Sequence, residues 1–174
     1  MASRPAPRVA RSPGEPGEVR VEGELATLVF RRTLRHPPEA VWSAITDPEQ
    51  IRRWFMTETR SDRRKGGSLE MVTGPYGVRA VGRILEWDPP RVYEHEWNSP
   101  PREYFPSGEA SVVRWELTPA PEGTLLVLTH RKLSPATATV FSRGLRVFLD
   151  RLAAQLDGVP LPDSPLTAPQ PGGP

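Results

Sequence analysis

The chain has 174 residues, enough for one domain with a single hydrophobic core, and it contains no cysteine, which excludes disulfides and thiolate chemistry. Its 23 Lys and Arg residues are nearly balanced by 21 Asp and Glu residues, for a formal net charge of +2, so we expect no nucleic-acid partner. No apolar run approaches the roughly 18 residues of a membrane span, and no secretory signal is recognisable, so we expect no membrane partner and a cytoplasmic location.

Proline is dense near both ends of the chain. We predict that residues 1–20 form a disordered tail rich in Pro and Arg, and that residues 162–174 form a disordered tail rich in Pro and Gly. Such segments bury too little apolar surface to offset the entropy lost on ordering. Residues 21–161 are then expected to form a single domain.

The first ordered segment is predicted to be a strand over residues 24–34, which are rich in β-branched and aromatic side chains. A short helix over residues 39–46 follows, because a proline opens it and apolar side chains share one face. Asp47, followed by a proline and then by a glutamine at the third helical position, is typical of the cap of a second helix.

The loop after the second helix carries a basic run of four residues, Arg60, Arg63, Arg64 and Lys65. We expect this run to be a solvated loop that gates the mouth of a cavity. Contact with an anionic ligand or partner is the alternative interpretation.

From residue 68 onward the hydrophobic period changes from 3.6 to 2, and each segment ends at a turn signal made of Gly or Pro. Five antiparallel strands are predicted, over residues 68–73, 77–87, 91–98, 110–118 and 123–132. Neighbouring strands joined by short connections form a meander.

A long amphipathic helix is predicted over residues 134–156. Its apolar stripe consists of Phe141, Leu145, Phe148, Leu149, Leu152 and Leu156. Ser134 followed by proline marks its start, and Gly158 marks its end. A helix of this length cannot bury its stripe against two short helices alone, so it needs a sheet to pack against.

These elements predict an α+β fold, in which a curved antiparallel sheet of about six strands surrounds the long C-terminal helix and two short helices follow strand one. A sheet curved that far does not contact the helix along its whole concave face. We therefore expect a cavity between sheet and helix, with the two short helices closing one mouth.

Three segments, residues 37–55, 82–90 and 123–130, resemble the SRPBCC, or START-like, superfamily. Within it they are most similar to the domain named for the activator of heat-shock-protein-90 ATPase. The resemblance implies the helix-grip fold, as in birch-pollen allergens and START domains. It does not select one function, since proteins of this superfamily include lipid and hormone carriers, aromatic polyketide cyclases and co-chaperones.

Side chains predicted to face the cavity are candidates for contact with a hydrophobic small-molecule ligand. They are Trp42, Trp54, Phe55, Met71, Tyr93, His95, Trp97, Val113, Trp115, Leu128, His130, Phe141, Leu145 and Phe148. We place Trp42, Trp54 and Phe55 at the mouth that the short helices close. The alternative is that these side chains simply fill the core.

Our first hypothesis is a non-enzymatic protein that binds a hydrophobic small molecule, as a monomer or a homodimer. An alternative is a cyclase or dehydratase that uses His95, His130 and Tyr93 for acid–base chemistry. Another is a co-chaperone-like module that contacts a chaperone through its outer surface. Two histidines without a short spacing make a poor metal site, so we expect no metal and no cofactor.

Overall fold

The structure is a computed structural model that describes residues 14–75, 77–101 and 108–166. Eight strands and three helices occur along these residues. The strands are β1 (Glu18–Glu22), β2 (Leu25–Leu34), β3 (Thr57–Ser61), β4 (Ser68–Thr73), β5 (Val78–Asp88), β6 (Val92–Ser99), β7 (Glu109–Ala120) and β8 (Gly123–Leu133). The helices are α1 (Pro38–Thr46), α2 (Pro48–Trp54) and α3 (Pro135–Asp157).

All eight strands form one antiparallel sheet in the order β1-β2-β8-β7-β6-β5-β4-β3. Because β1 and β3 lie at opposite edges and do not pair with each other, the sheet is open. Its register shifts once in β2, between Ala26 and Leu28, and once in β5, between Ile84 and Glu86. Bulges of this kind bend a sheet and increase its twist. The curved sheet holds α3 against its concave face, which confirms the predicted helix-grip fold.

The two edge strands, β1 and β3, were not predicted from the sequence. All five residues of β1 are exposed, and β3 is a short polar segment. An edge strand buries little side-chain surface, so neither segment carries the apolar alternation that identifies a strand. As a result, Arg60 of the basic run lies within β3 rather than in a loop.

Helix α3 begins and ends where the sequence predicts. The Ser134 hydroxyl accepts a hydrogen bond from the backbone N–H of Thr137, with a distance of 3.2 Å between nitrogen and oxygen. Gly158 has φ 65°, in the left-handed region, and its N–H bonds the carbonyls of Ala154 and Gln155. A glycine adopts this conformation without the steric cost of a Cβ. The 23 residues of the helix span about 34 Å.

Helices α1 and α2 are joined by hydrogen bonds. The Asp47 carboxylate caps α2 by accepting from the N–H of Glu49 at 3.1 Å, as predicted. The indole N–H of Trp54 donates to the carbonyl of Ala44 at 2.8 Å and so joins the end of α2 to α1. Trp54 is only 1% exposed, so this bond is protected from water.

The two halves of α3 have different surroundings. Phe148, Leu149 and Leu152 in the C-terminal half are buried in the core. In the middle of the helix, residues 139–147 are exposed or only partly buried, and Val140 is 63% exposed. The helix therefore packs closely near its two ends, where Thr137 and Ala138 are also buried, and leaves free space between its middle and the sheet.

Both predicted tails overlap the ordered part of the chain. Strand β1 begins at Glu18, before the predicted boundary at residue 21. Beyond residue 161, Ser164 is buried, and Leu166 packs against the core next to Gly74. The remainder of each tail, residues 1–13 and 167–174, lies outside the described residues.

Candidate functional site

The free space between the concave face and α3 is a cavity of about 740 Å³. Thirteen of the fourteen predicted site residues line it: Trp54, Phe55, Met71, Tyr93, His95, Trp97, Val113, Trp115, Leu128, His130, Phe141, Leu145 and Phe148. The strand residues among them come from β4, β6, β7 and β8. They reach the cavity because alternate side chains of a strand point to the same face.

Trp42 is the predicted site residue that does not line the cavity. Its ring packs edge-on against Trp87, with 5.1 Å between centroids, and against Tyr93, with 6.2 Å. Val41, Ala44 and Ile45 take the buried face of α1. Trp42 lies beside that face and is directed toward β5 and β6 instead.

Among the described residues, ten that line the cavity were not predicted: Ile45, Ile51, Thr73, Val78, Val140, Arg143, Gly144, Val147, Pro165 and Leu166. Within this set, Val140, Gly144 and Val147 recur at i, i+4 and i+7, beside the bulky stripe of α3. This row of small side chains is a sequence signal that could have identified them. Pro165 and Leu166 carry no such signal, since they line the cavity only because the chain folds back after α3.

The opening to solvent lies away from the two short helices. Trp54 and Phe55 are 1% and 8% exposed, so they seal the end of the cavity beside α2. Within the described part of the lining, the exposed residues are Val140 and Arg143, in the middle of α3. These two residues place the mouth beside the middle of α3.

Aromatic contacts hold the sealed end of the cavity in one arrangement. Phe55 stacks on Trp54 with 5.0 Å between ring centroids and meets Phe148 edge-on at 4.8 Å. Trp54 is also edge-on to Trp115 at 6.3 Å, and Phe55 lies 6.1 Å from Trp97. Each such pair contributes about 0.5–1.5 kcal/mol beyond the burial of its area.

Polar groups on β6 interrupt this apolar lining. The Nδ1 of His95 lies 3.0 Å from the backbone carbonyl of Glu96, and the residue as a whole is 2% exposed. Burial lowers the pKa of His95 from 6.5 to about 4, although the bond to Glu96 opposes the shift. Tyr93 lies beside it, with 4.8 Å between ring centroids, and burial raises the pKa of its phenol well above the usual value.

His130 on β8 has a different anchor. Its Nε2 lies 2.8 Å from the hydroxyl oxygen of Ser111, which in turn donates to the carbonyl of Trp97 at 2.8 Å. Burial, with a further contribution from His95, lowers the pKa of His130 from 6.5 to about 3. Both histidines are therefore neutral at pH 7.

The basic run is not part of this site. None of its four residues is among the lining residues. Arg63 donates to the carbonyl of Thr46, and the ammonium nitrogen of Lys65 lies 3.3 Å from a carboxylate oxygen of Glu86. The run thus forms contacts on the surface near α1 and β5, and a role in gating has no support from its position.

Two further features concern ions and membranes. Within residues 14–75, 77–101 and 108–166, no three His, Asp or Glu side chains lie close enough together to hold a metal ion. In the same part of the chain, no helix has the length and apolar character needed to cross a lipid bilayer.

A curved antiparallel sheet that grips a long C-terminal helix around an apolar cavity defines the class of helix-grip proteins. The family described as "Activator of Hsp90 ATPase homolog 1-like protein" matches residues 35–157. The chain belongs to this family, within the SRPBCC superfamily, as the sequence motifs predicted.

Solved structures of bacterial proteins share the fold. Protein MLL2253 from Mesorhizobium loti is 27% identical, with a TM-score of 0.69 over 78% of this chain and 99% of that one. CalU16 from Micromonospora echinospora, in its crystal structure, is 30% identical, with a TM-score of 0.66 over 85% of this chain and 88% of that one. The solution structure of CalU16 gives 31% identity and a TM-score of 0.67, over 90% and 82%. No protein with a curated functional description matches the chain.

Proposed function

We propose that this protein binds a hydrophobic small molecule in the cavity between the sheet and α3. The observation that carries the proposal is the cavity itself, about 740 Å³ in volume and lined mainly by aromatic and aliphatic side chains. Ligand pockets for small molecules have volumes of roughly 300–1,000 Å³ and a similar lining. A domain that needed its inner face only for stability would fill this space, since protein interiors are close-packed.

The arrangement of the walls supports a preformed site. The sealed end is held by Trp54, Phe55 and Phe148, which are buried and in mutual contact. A ligand that enters beside the middle of α3 meets side chains that are already packed against one another. Binding then costs little of the conformational entropy that a flexible site would lose.

The cyclase or dehydratase alternative receives less support from the same residues. A general base works best when its pKa is near the working pH. Burial lowers the pKa of His95 to about 4 and that of His130 to about 3, so both are weak bases at neutral pH. Their neutral rings fit a role in hydrogen bonding to a ligand better than a role in proton abstraction.

The proposal is tested by titrating the protein with N-phenyl-1-naphthylamine, a neutral hydrophobic fluorophore, and following tryptophan emission. Trp54, Trp97 and Trp115 line the cavity, so a bound fluorophore should quench part of the emission in a saturable way with one equivalent bound. Native mass spectrometry of freshly purified protein would show whether a ligand from the cell accompanies it. Absence of saturable binding to the folded protein would refute the proposal.

A further inference from the structure

The hydrogen bond of His95 determines which of its ring nitrogens carries the proton. The backbone carbonyl of Glu96 can only accept, so Nδ1 of His95, 3.0 Å away, must be the donor. A neutral imidazole has one N–H, and therefore Nε2 is an unprotonated acceptor. Nδ1 is bonded to Cγ, the ring carbon attached to Cβ, so Nε2 lies at the far end of the ring, away from the backbone of β6.

The tautomer of His130 follows from the bonds of Ser111. The Ser111 hydroxyl has one proton, and it donates this proton to the carbonyl of Trp97. Its oxygen therefore accepts from Nε2 of His130, 2.8 Å away. This leaves Nδ1 of His130 as the unprotonated nitrogen of a neutral ring.

Both unprotonated nitrogens are open to the cavity. Neither has a hydrogen-bond partner among the described residues. Among the described residues, four side-chain atoms have neither a hydrogen-bond partner nor accessible surface: Arg32 Nε, Thr59 Oγ1, Trp97 Nε1 and Gln155 Oε1. The two histidine nitrogens do not belong to this set, so each retains accessible surface. Since the rings of His95 and His130 line the cavity, these two acceptors reach its free space.

The two histidines also have a defined relative position. In the sheet, His95 on β6 is opposite Val113 on β7, which is opposite His130 on β8. Adjacent strands are about 4.8 Å apart, so the two backbone positions are about 10 Å apart across the concave face. Tyr93, whose ring is 4.8 Å from that of His95, adds a hydroxyl that can donate or accept.

We propose that the cavity selects uncharged ligands that present hydroxyl or N–H donors to His95 and His130, such as hydroxylated aromatic or alicyclic molecules. This inference rests on the proposed function and adds the chemical class of the ligand. A hydrocarbon would leave both acceptors without partners, and a carboxylate would bring two acceptor oxygens toward two lone pairs. Arg143 is the cation among the described lining residues, but it is exposed at the mouth, where water weakens its attraction for an anion. A hydroxyl group instead exchanges its bond to water for a bond to an imidazole.

The test compares three naphthalenes of similar size at pH 7.5 by calorimetry: 2-naphthol, 2-methoxynaphthalene and 2-naphthoate. 2-Naphthol has a donor, whereas 2-methoxynaphthalene has only an acceptor and 2-naphthoate is charged. One neutral hydrogen bond corresponds to a preference of roughly two- to tenfold, so we expect 2-naphthol to bind that much more tightly than 2-methoxynaphthalene. We expect 2-naphthoate to bind most weakly.

Two variants locate the effect. His95→Phe and His130→Phe keep an aromatic ring and remove an acceptor, so at least one of them should bind 2-naphthol and 2-methoxynaphthalene equally. Retained binding of 2-methoxynaphthalene shows that the variant is folded. If both variants keep the preference, or if the wild type has none, the inference is wrong while the proposed function stands. If no naphthalene binds, both are wrong.

A measurement on the unaltered protein covers the case in which a variant does not fold. The chain has only three histidines, so the imidazole ¹⁵N signals can be assigned. We expect Nε2 of His95 and Nδ1 of His130 to have the chemical shifts of unprotonated nitrogens, and 2-naphthol to shift at least one of them. If 2-naphthol binds without moving either signal, the inference is overturned.

Discussion

Replacement of Gly144 by leucine should weaken ligand binding and at the same time stabilise the protein. Gly144 lies in the middle of α3 and lines the cavity. A Cβ built on this residue meets no atom within 4 Å, so a side chain can begin here without a clash. Leucine at this position therefore occupies the space near the mouth that a ligand needs.

The expected gain in stability follows from helix propensity. Glycine in a helix interior is about 1 kcal/mol less favourable than alanine, and leucine is close to alanine. Gly144→Leu should therefore raise the free energy of unfolding by up to about 1 kcal/mol. For a chain of this size, that gain corresponds to a rise in Tm of roughly 2–4 °C. Calorimetric melting measures the gain, and titration with N-phenyl-1-naphthylamine measures the affinity.

Gly144→Ala is the matched control, because it supplies nearly the same helix propensity with only one added carbon. It should raise Tm similarly and leave the affinity for the fluorophore nearly unchanged. Since most damaging substitutions lower stability, weaker binding together with a higher Tm indicates obstruction of the site rather than misfolding. A stabilised Gly144→Leu protein with the wild-type affinity would show that the ligand does not bind beside α3.

Further substitutions and a change of pH test the core and the buried polar groups. Phe148→Ala should lower the free energy of unfolding by about 3 kcal/mol. This is the lower end for such a truncation, because one side of the ring already faces the cavity. The control is Arg52→Ala at an exposed position, which should change the free energy of unfolding by less than about 0.5 kcal/mol. Ser111→Ala should cost about 1–3 kcal/mol in urea unfolding, because His130 then loses its acceptor; an unchanged midpoint would refute the assigned hydrogen bond. The folded-state pKa values of His95 and His130 are below 6.5, so the unfolded chain binds more protons below that pH. Stability should be greatest above pH 6.5 and fall by up to about 4 kcal/mol on going to pH 5, and equal urea midpoints at pH 7.5 and 5 would contradict this.

The sequence alone was sufficient for features that depend on local chemistry. Both ends of α3 follow from Ser134 and Gly158, since a cap and a left-handed glycine act within one helical turn. The cap of α2 follows from Asp47 in the same way. The inward direction of His95 and His130 follows from the two-residue period of a strand, which holds whatever the strand pairs with.

Other features depend on how elements meet, and only the tertiary structure decided them. Strands β1 and β3 form because each pairs with a neighbouring strand. Their own side chains bury too little apolar surface for the sequence to identify them as strands. Trp42 lies outside the cavity because it packs against Trp87, a contact 45 residues away in the chain. Periodicity shows which side chains share a face, but the distance between that face and its neighbour depends on curvature and helix tilt. Sheet curvature and helix tilt depend on long-range contacts, and they decide whether the space is a filled core or a cavity of about 740 Å³.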